Sequence, residues 1–252
     1  MKKLAIGLFG LLLTGIAFAT IKPKPVKTAV LLLRFQNLVS GKALKLNDSV
    51  SLYKNAHGDD FKITTFKYYV SNICLIKANG QSIILPESYL LVNAADSSTL
   101  VQQLPNIPEG KYKGISFTIG VDSARNFAGA QTGALDPAKG MFWSWNSGYI
   151  FVKLEGESPQ STAKKNKLTF HIGGVRSPNN TMRTFTQNFG RILKVTAGKE
   201  SALTLTADAA ALFTGKTIID FNKLNFTMGG PNSVIVADNY ASSLFKVTEV
   251  KN

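Results

Sequence analysis

Ile115-Ser116-Phe117-Thr118-Ile119-Gly120-Val121-Asp122 is the stretch that decides the fold class. Ile115, Phe117, Ile119 and Val121 alternate with small or polar neighbours, and an extended backbone turns that period of two into one apolar and one polar face. The same period recurs on both sides of it, and helical spacing almost nowhere. Upstream, Leu31, Leu33 and Phe35 form the apolar side of a first strand, and Leu44–Tyr53 reads as a weaker one. Phe61–Ile76 carries an aromatic run with Phe66, Tyr68, Val70, Cys74 and Ile76 on one face, closed by the turn signal Ala78-Asn79-Gly80. Asp96–Gln103 reads as a short helix capped by Asp96 or Ser97, and Pro105–Gly110 as a turn.

Downstream, Lys167–Ile172, Phe185–Phe189, Ile192–Thr196 and Ala202–Thr206 repeat the strand pattern. Asp208–Phe213 has an N-cap aspartate and a following Gly215, and Val234–Phe245 has the composition of a second short helix. About ten strands with turns every eight to twelve residues predict an all-β chain, an antiparallel β-sandwich with long loops and one or two short helices.

The first nineteen residues read as a signal peptide: Lys2 and Lys3, an apolar run Leu4–Ile16, then Ala17-Phe18-Ala19 as the cleavage site. The apolar run is short for a membrane span. Residues 20–28 form a flexible basic lead-in rich in proline and lysine, and 29–252 a single domain. The expected location is the bacterial periplasm or the cell surface. The chain carries a net charge of +14, and loss of Lys2 and Lys3 with the leader leaves +12. Outside the cytoplasm, such a charge predicts contact with an anionic envelope surface rather than nucleic acid. The lone Cys74 excludes an internal disulfide, and its position in the aromatic run predicts a buried thiol.

Ser123–Lys139 has no period and exceeds the usual loop length. It leads into Gly140-Met-Phe-Trp-Ser-Trp-Asn-Ser-Gly-Tyr-Ile-Phe-Val-Lys-Leu-Glu-Gly156, which holds both tryptophans of the chain, Trp143 and Trp145. Their spacing puts the two indoles on one side of an extended backbone, with Met141 beside them. After Gly148, Ile150, Val152 and Leu154 share one face. The histidines are His57, in a polar turn, and His171, which alternation with Leu168, Phe170 and Ile172 points away from the core. Imidazole and thioether suit copper, but Met141, Met182 and Met228 lack close spacing and read as core filler. Asp122 is placed to bond an indole N–H or the loop backbone. There is no G-x-S-x-G or H-E-x-x-H motif and no spaced Ser/His/Asp set, so the chain reads as a non-enzyme.

Several phrases resemble the MbnP-like family: Phe66-Lys-Tyr-Tyr-Val-Ser-Asn-Ile73, Phe117-Thr-Ile-Gly-Val-Asp122, Leu135–Tyr149 through Glu155-Gly156, Phe170-His-Ile-Gly173 and Ile235-Val-Ala-Asp-Asn239. The resemblance implies an exported β-sandwich that holds copper as Cu(I) or Cu(II). It implies that a tryptophan oxidised to kynurenine joins histidine as a ligand, and that a di-haem, cytochrome c peroxidase-like partner carries out the oxidation. On this chain the modification candidates are Trp143 and Trp145 and the matching ligand is His171, with His57 and Met141 as further candidates, in a monomer. The alternative is a binding or structural module in which the tryptophan pair is a packing anchor or a ligand platform.

Overall fold

The computed structural model describes residues 27–48, 50, 52–144 and 146–252. The signal segment, most of the lead-in and Trp145 lie outside the described residues. Strand β1 (Thr28–Val39) is followed by the two-residue strands β2 (Lys42–Ala43) and β3 (Tyr53–Lys54), where one longer strand was expected. Then come β4 (Asp60–Lys77), β5 (Ser82–Ile84), β6 (Tyr89–Asn93), β7 (Val101–Pro108) and β8 (Gly110–Ile119). Asp96 caps a single 3-10 turn by accepting from Ser98 N–H, and the rest of the expected helix, with the expected turn after it, is strand β7. Edge pairing against β1 overrides the local proline and asparagine signals there.

Helix α1 (Ser123–Asn126) opens the long loop, followed by β9 (Phe142–Ser144), β10 (Gly148–Tyr149), β11 (Val152–Glu157) and β12 (Lys167–Ile172). Strands β13 (Arg183–Val195), β14 (Ser201–Asp208) and β15 (Phe226–Met228), helix α2 (Gly230–Tyr240) and β16 (Phe245–Lys251) complete the chain. Asp208 caps the 3-10 turn Ala209–Leu212 as its sequence position predicts. No helix of the described residues is long and apolar enough to cross a membrane.

Two sheets make the sandwich. One runs β16-β14-β1-β2, with β7 also on β1; the other runs β13-β8-β4-β11-β12-β15, with β3, β5 and β6 also on β4. Aromatic rings bolt them together: Phe35 of the first meets Tyr68 of the second at 6.0 Å, and Phe245 meets Tyr68 at 5.3 Å and Phe117 at 5.1 Å. The pairing is mostly antiparallel, but β1–β14 and β12–β15 are parallel. A parallel pair needs a long crossover, and here most of the chain separates β1 from β14.

Alternation along β4 breaks at Asn72, whose φ is +53°. The register against β8 shifts between Ser71 and Cys74, so a bulge exchanges the faces. Ile73 and Leu75 are therefore buried, while Cys74 and Ile76 are only half-buried. The buried thiol expected from unbroken alternation is corrected by that single extra residue.

Candidate functional site

A second, smaller apolar cluster lies at one end of the sandwich and seats the long loop. Tyr69, Val121, Leu135, Met141, Tyr149, Ile150 and Phe151 form it with Leu91. Ile150, expected in line with Val152 and Leu154, joins this cluster instead of the main core. Tyr149 is its pivot. Its hydroxyl donates to Leu135 C=O at 2.7 Å, its N–H donates to Asn126 Oδ1 at 2.8 Å, and its ring stands edge-on to Tyr69 at 5.8 Å. Tyr69 in turn donates to Ala134 C=O at 3.0 Å. A loop without period is thus held by a few polar anchors around one buried tyrosine. Asp122 is taken up in the same way: it caps α1 through Arg125 N–H and accepts from Tyr89, so its partner is loop backbone and not an indole.

Strands β9 and β10 form a short hairpin that carries Trp143. The indole packs against the small cluster, and its outer edge lies on Gly173, where a Cβ would sit 2.9 Å from Trp143 Cζ3. Trp143 Nε1 is buried and has no hydrogen-bond partner among the described residues. A buried N–H left unpaired costs about 1–3 kcal/mol, so it needs a reason. Met141 is fully buried in the small cluster, which makes it filler here and not an open thioether.

His171 lies two residues before Gly173 on β12, on the face away from the main core, as alternation predicts. It is nevertheless buried, at 7% exposure. Its Nε2 lies 2.8 Å from Glu155 Oε1, and Glu155 Oε2 accepts from Thr65 at 3.0 Å. Burial pushes His171 down from the usual imidazole value, against the pull of Glu155. Burial pushes Glu155 up, but its bond to His171, the charge of Lys153 and its bond to Thr65 outweigh that and hold it below the usual carboxylate value. At neutral pH the imidazole is neutral and the carboxylate ionised. An ionised carboxylate only accepts, so Nε2 carries the proton and Nδ1 the lone pair. A histidine steered by a carboxylate in this way is the usual form of a metal ligand.

The register also brings in a residue that the sequence reading set aside. Met228 is the parallel partner of His171. In β15 the middle residue, Thr227, is buried and its neighbours Phe226 and Met228 are exposed, which puts Met228 on the His171 face. Met228 and Trp143 both line a cavity of about 420 Å³ together with Gly173, Arg176 and Gly229. The strand signal at Phe226-Thr-Met228, just before the Gly229-Gly230 break, could have placed it on a surface.

His57 does not belong to this corner. It sits in the turn before β4, whereas the strand position aligned with His171 through Lys153 is Lys67. Seven residues of extended chain separate Asp60 from Lys67, roughly 23 Å. The sequence-based grouping of His57 with His171 is thereby corrected. Near His57, Asp59 is 5% exposed and closes the turn. Burial pushes the Asp59 carboxyl up, but hydrogen bonds from Phe221 N–H, His57 and Asn55 outweigh it and hold it low. A carboxyl depressed on folding stabilises above its unfolded value, near 3.9, and that contribution disappears as the pH falls through the lower folded value. Thermal melts between pH 2 and 7 should show stability dropping below about pH 4, with a flatter acid limb in Asp59→Asn.

Comparisons with known proteins agree with this architecture. The sequence model of the MbnP family matches residues 28–235. The solved structure of MbnP from Methylosinus trichosporium superimposes with a TM-score of 0.57 at 15% identity, over 88% of this chain and 99% of that one. No curated protein matches by sequence.

Proposed function

Because this chain belongs to the MbnP family, we propose that it is an exported, non-enzymatic copper-binding protein whose site is the Trp143 corner. The observation that carries the reading is a pair of oddities side by side on one sheet face. The Trp143 indole, whose buried N–H has no partner among the described residues, lays the far edge of its six-membered ring on Gly173, and a neutral histidine with a carboxylate-steered ring lies two residues before that glycine. His171 would hold the ion through Nδ1, and the Met228 thioether, on the same face, suits the cuprous state. Copper would supply a redox-active or storable ion, while Glu155 and Thr65 keep the imidazole in one tautomer. Trp143 is the favoured candidate for conversion to a kynurenine ligand by a di-haem peroxidase-like partner, because its polar atom is unpaired. Glycine at 173 keeps the room that its ring occupies.

Anaerobic loading with Cu(I) followed by metal analysis tests the reading. His171→Ala should lose more than half of the bound copper, and Met228→Leu should hold Cu(I) more weakly while remaining folded. Full retention in His171→Ala would remove that ligand. The modification has its own readout: protein from its native host should differ in intact mass by a few daltons, localised to Trp143 or Trp145 by peptide mapping. An unmodified mass there eliminates kynurenine.

One observation favours a second reading, the cavity of about 420 Å³ beside Trp143, with Arg176 stacked 4.5 Å over Phe127 at its wall. Such a hollow fits an aromatic ligand platform. Tryptophan emission quenched by oligosaccharides but not by Cu(I) would decide for it.

A further inference from the structure

The turn that carries His57 has chemistry of its own. His57 Nδ1 lies 3.0 Å from Asp59 Oδ1. The other oxygen of Asp59 accepts from Asn55 Nδ2 at 3.1 Å and from Phe221 N–H at 2.9 Å. A buried carboxylate that accepts on both oxygens orients the ring, so the neutral form of the imidazole donates through Nδ1–H and keeps its lone pair on Nε2. That lone pair faces Asp220 Oδ2 across 3.8 Å.

With the imidazole in that form, Nε2 and Asp220 Oδ2 present two lone pairs to one point, where a metal cation would be bonded by both. At 3.8 Å the gap is too long for a hydrogen bond. It is close to the spacing of two donors on one ion, since metal–ligand bonds of about 2.0–2.2 Å at a tetrahedral angle put donors roughly 3.4 Å apart. The ligand atoms of His57, Asp59 and Asp220 all lie within 4.8 Å of one another. The two segments are already tied, because Asn55 Nδ2 also donates to Ile219 C=O at 3.1 Å. Little ordering remains for an ion to impose. The His57 side chain is 45% exposed, which leaves the remaining coordination positions to water.

We propose that His57 and Asp220 form a second metal site, for a borderline divalent ion such as Zn²⁺, with Asp59 steering the imidazole from behind. One nitrogen and one carboxylate oxygen suit Zn²⁺ or Cu²⁺, and the absence of a thioether or thiolate in the set disfavours Cu⁺. The site is separate from the Trp143 corner and does not depend on the reading given to it. Lys223 Nζ, 3.1 Å from Asp220 Oδ2, is the built-in competitor. An arriving ion has to displace it.

Calorimetric titration of the full chain with Zn²⁺ tests the proposal. Wild type and His171→Ala should both take up one ion here. His57→Gln and Asp220→Asn should each weaken binding by about tenfold or more. Lys223→Met, an exposed change that leaves the turn intact, should tighten it by about threefold. Zn²⁺ should also raise the melting temperature of wild type and not of His57→Gln, since an ion bound to the native state stabilises it. No uptake by wild type, or uptake unchanged in both His57→Gln and Asp220→Asn, overturns the site.

Discussion

Phe213→Ala is expected to cost about 4 kcal/mol of stability, the middle of the range for a buried aromatic truncated to a methyl group. Phe213 is fully buried just after the 3-10 turn that Asp208 caps. Its ring meets Phe61 at 5.3 Å, Phe170 at 5.2 Å and Phe221 at 4.8 Å, all at steep angles. Each edge-to-face pair adds about 0.5–1.5 kcal/mol beyond the buried area. The rings around it belong to β4, β12 and the segment before β15, which cannot all collapse into the void. A drop in melting temperature of about 12 °C should accompany the loss. Urea denaturation should show a lower midpoint with an unchanged slope, and a loss under 2 kcal/mol would mean that the four-ring cluster repacks.

Gly148→Ala should be nearly as costly, about 3 kcal/mol, through a different mechanism. Gly148 has φ +80°, and a Cβ there would lie 2.1 Å from Asn126 Nδ2. Asn126 is fully buried and supplies the acceptor for Tyr149 N–H. An alanine adds left-handed strain and also pushes away the Asn126 side chain, which ties α1 to the β9–β10 hairpin. The hairpin that carries Trp143 would then loosen. Besides the stability change, tryptophan emission should shift to the red and become easier to quench with iodide. Unchanged emission would place the anchoring in the Tyr149 hydroxyl alone.

Much of the fold could be read from residue order because its main signal is local. Ile115–Ile119 alternates as expected within β8, although the strand stops before Gly120 and Val121 joins the small cluster, and Asp96 and Asp208 cap the turns at which they stand. What failed depended on distant partners. The bulge at Asn72 exchanged the faces of β4, edge pairing turned Pro105–Pro108 into strand, and the β1–β14 pair came out parallel. The site follows the same division. That His171 points away from the main core is a matter of alternation, and that could be seen. Its carboxylate partner Glu155 sits on the neighbouring strand, and Met228 arrives through a parallel pairing more than fifty residues later, so neither is implied by spacing. His57 looked like a partner for His171 only because the chain has two histidines.

The parallel match of Leu31 with Ser201 and Leu38 with Asp208 also governs when this protein can acquire its structure. The first strand emerges early, yet the neighbour on one of its sides is made only after four-fifths of the chain. Contacts of such long sequence separation carry a large loop-closure entropy and slow the folding of β-rich domains into the millisecond-to-second range. A nascent chain of this design stays open until its synthesis is nearly complete. That property would suit the export proposed above, in which a chain is threaded through a narrow channel before it folds. It also leaves β1 as an unguarded edge during that interval, so holdase chaperones should matter more to its yield than to that of a helical protein of equal length.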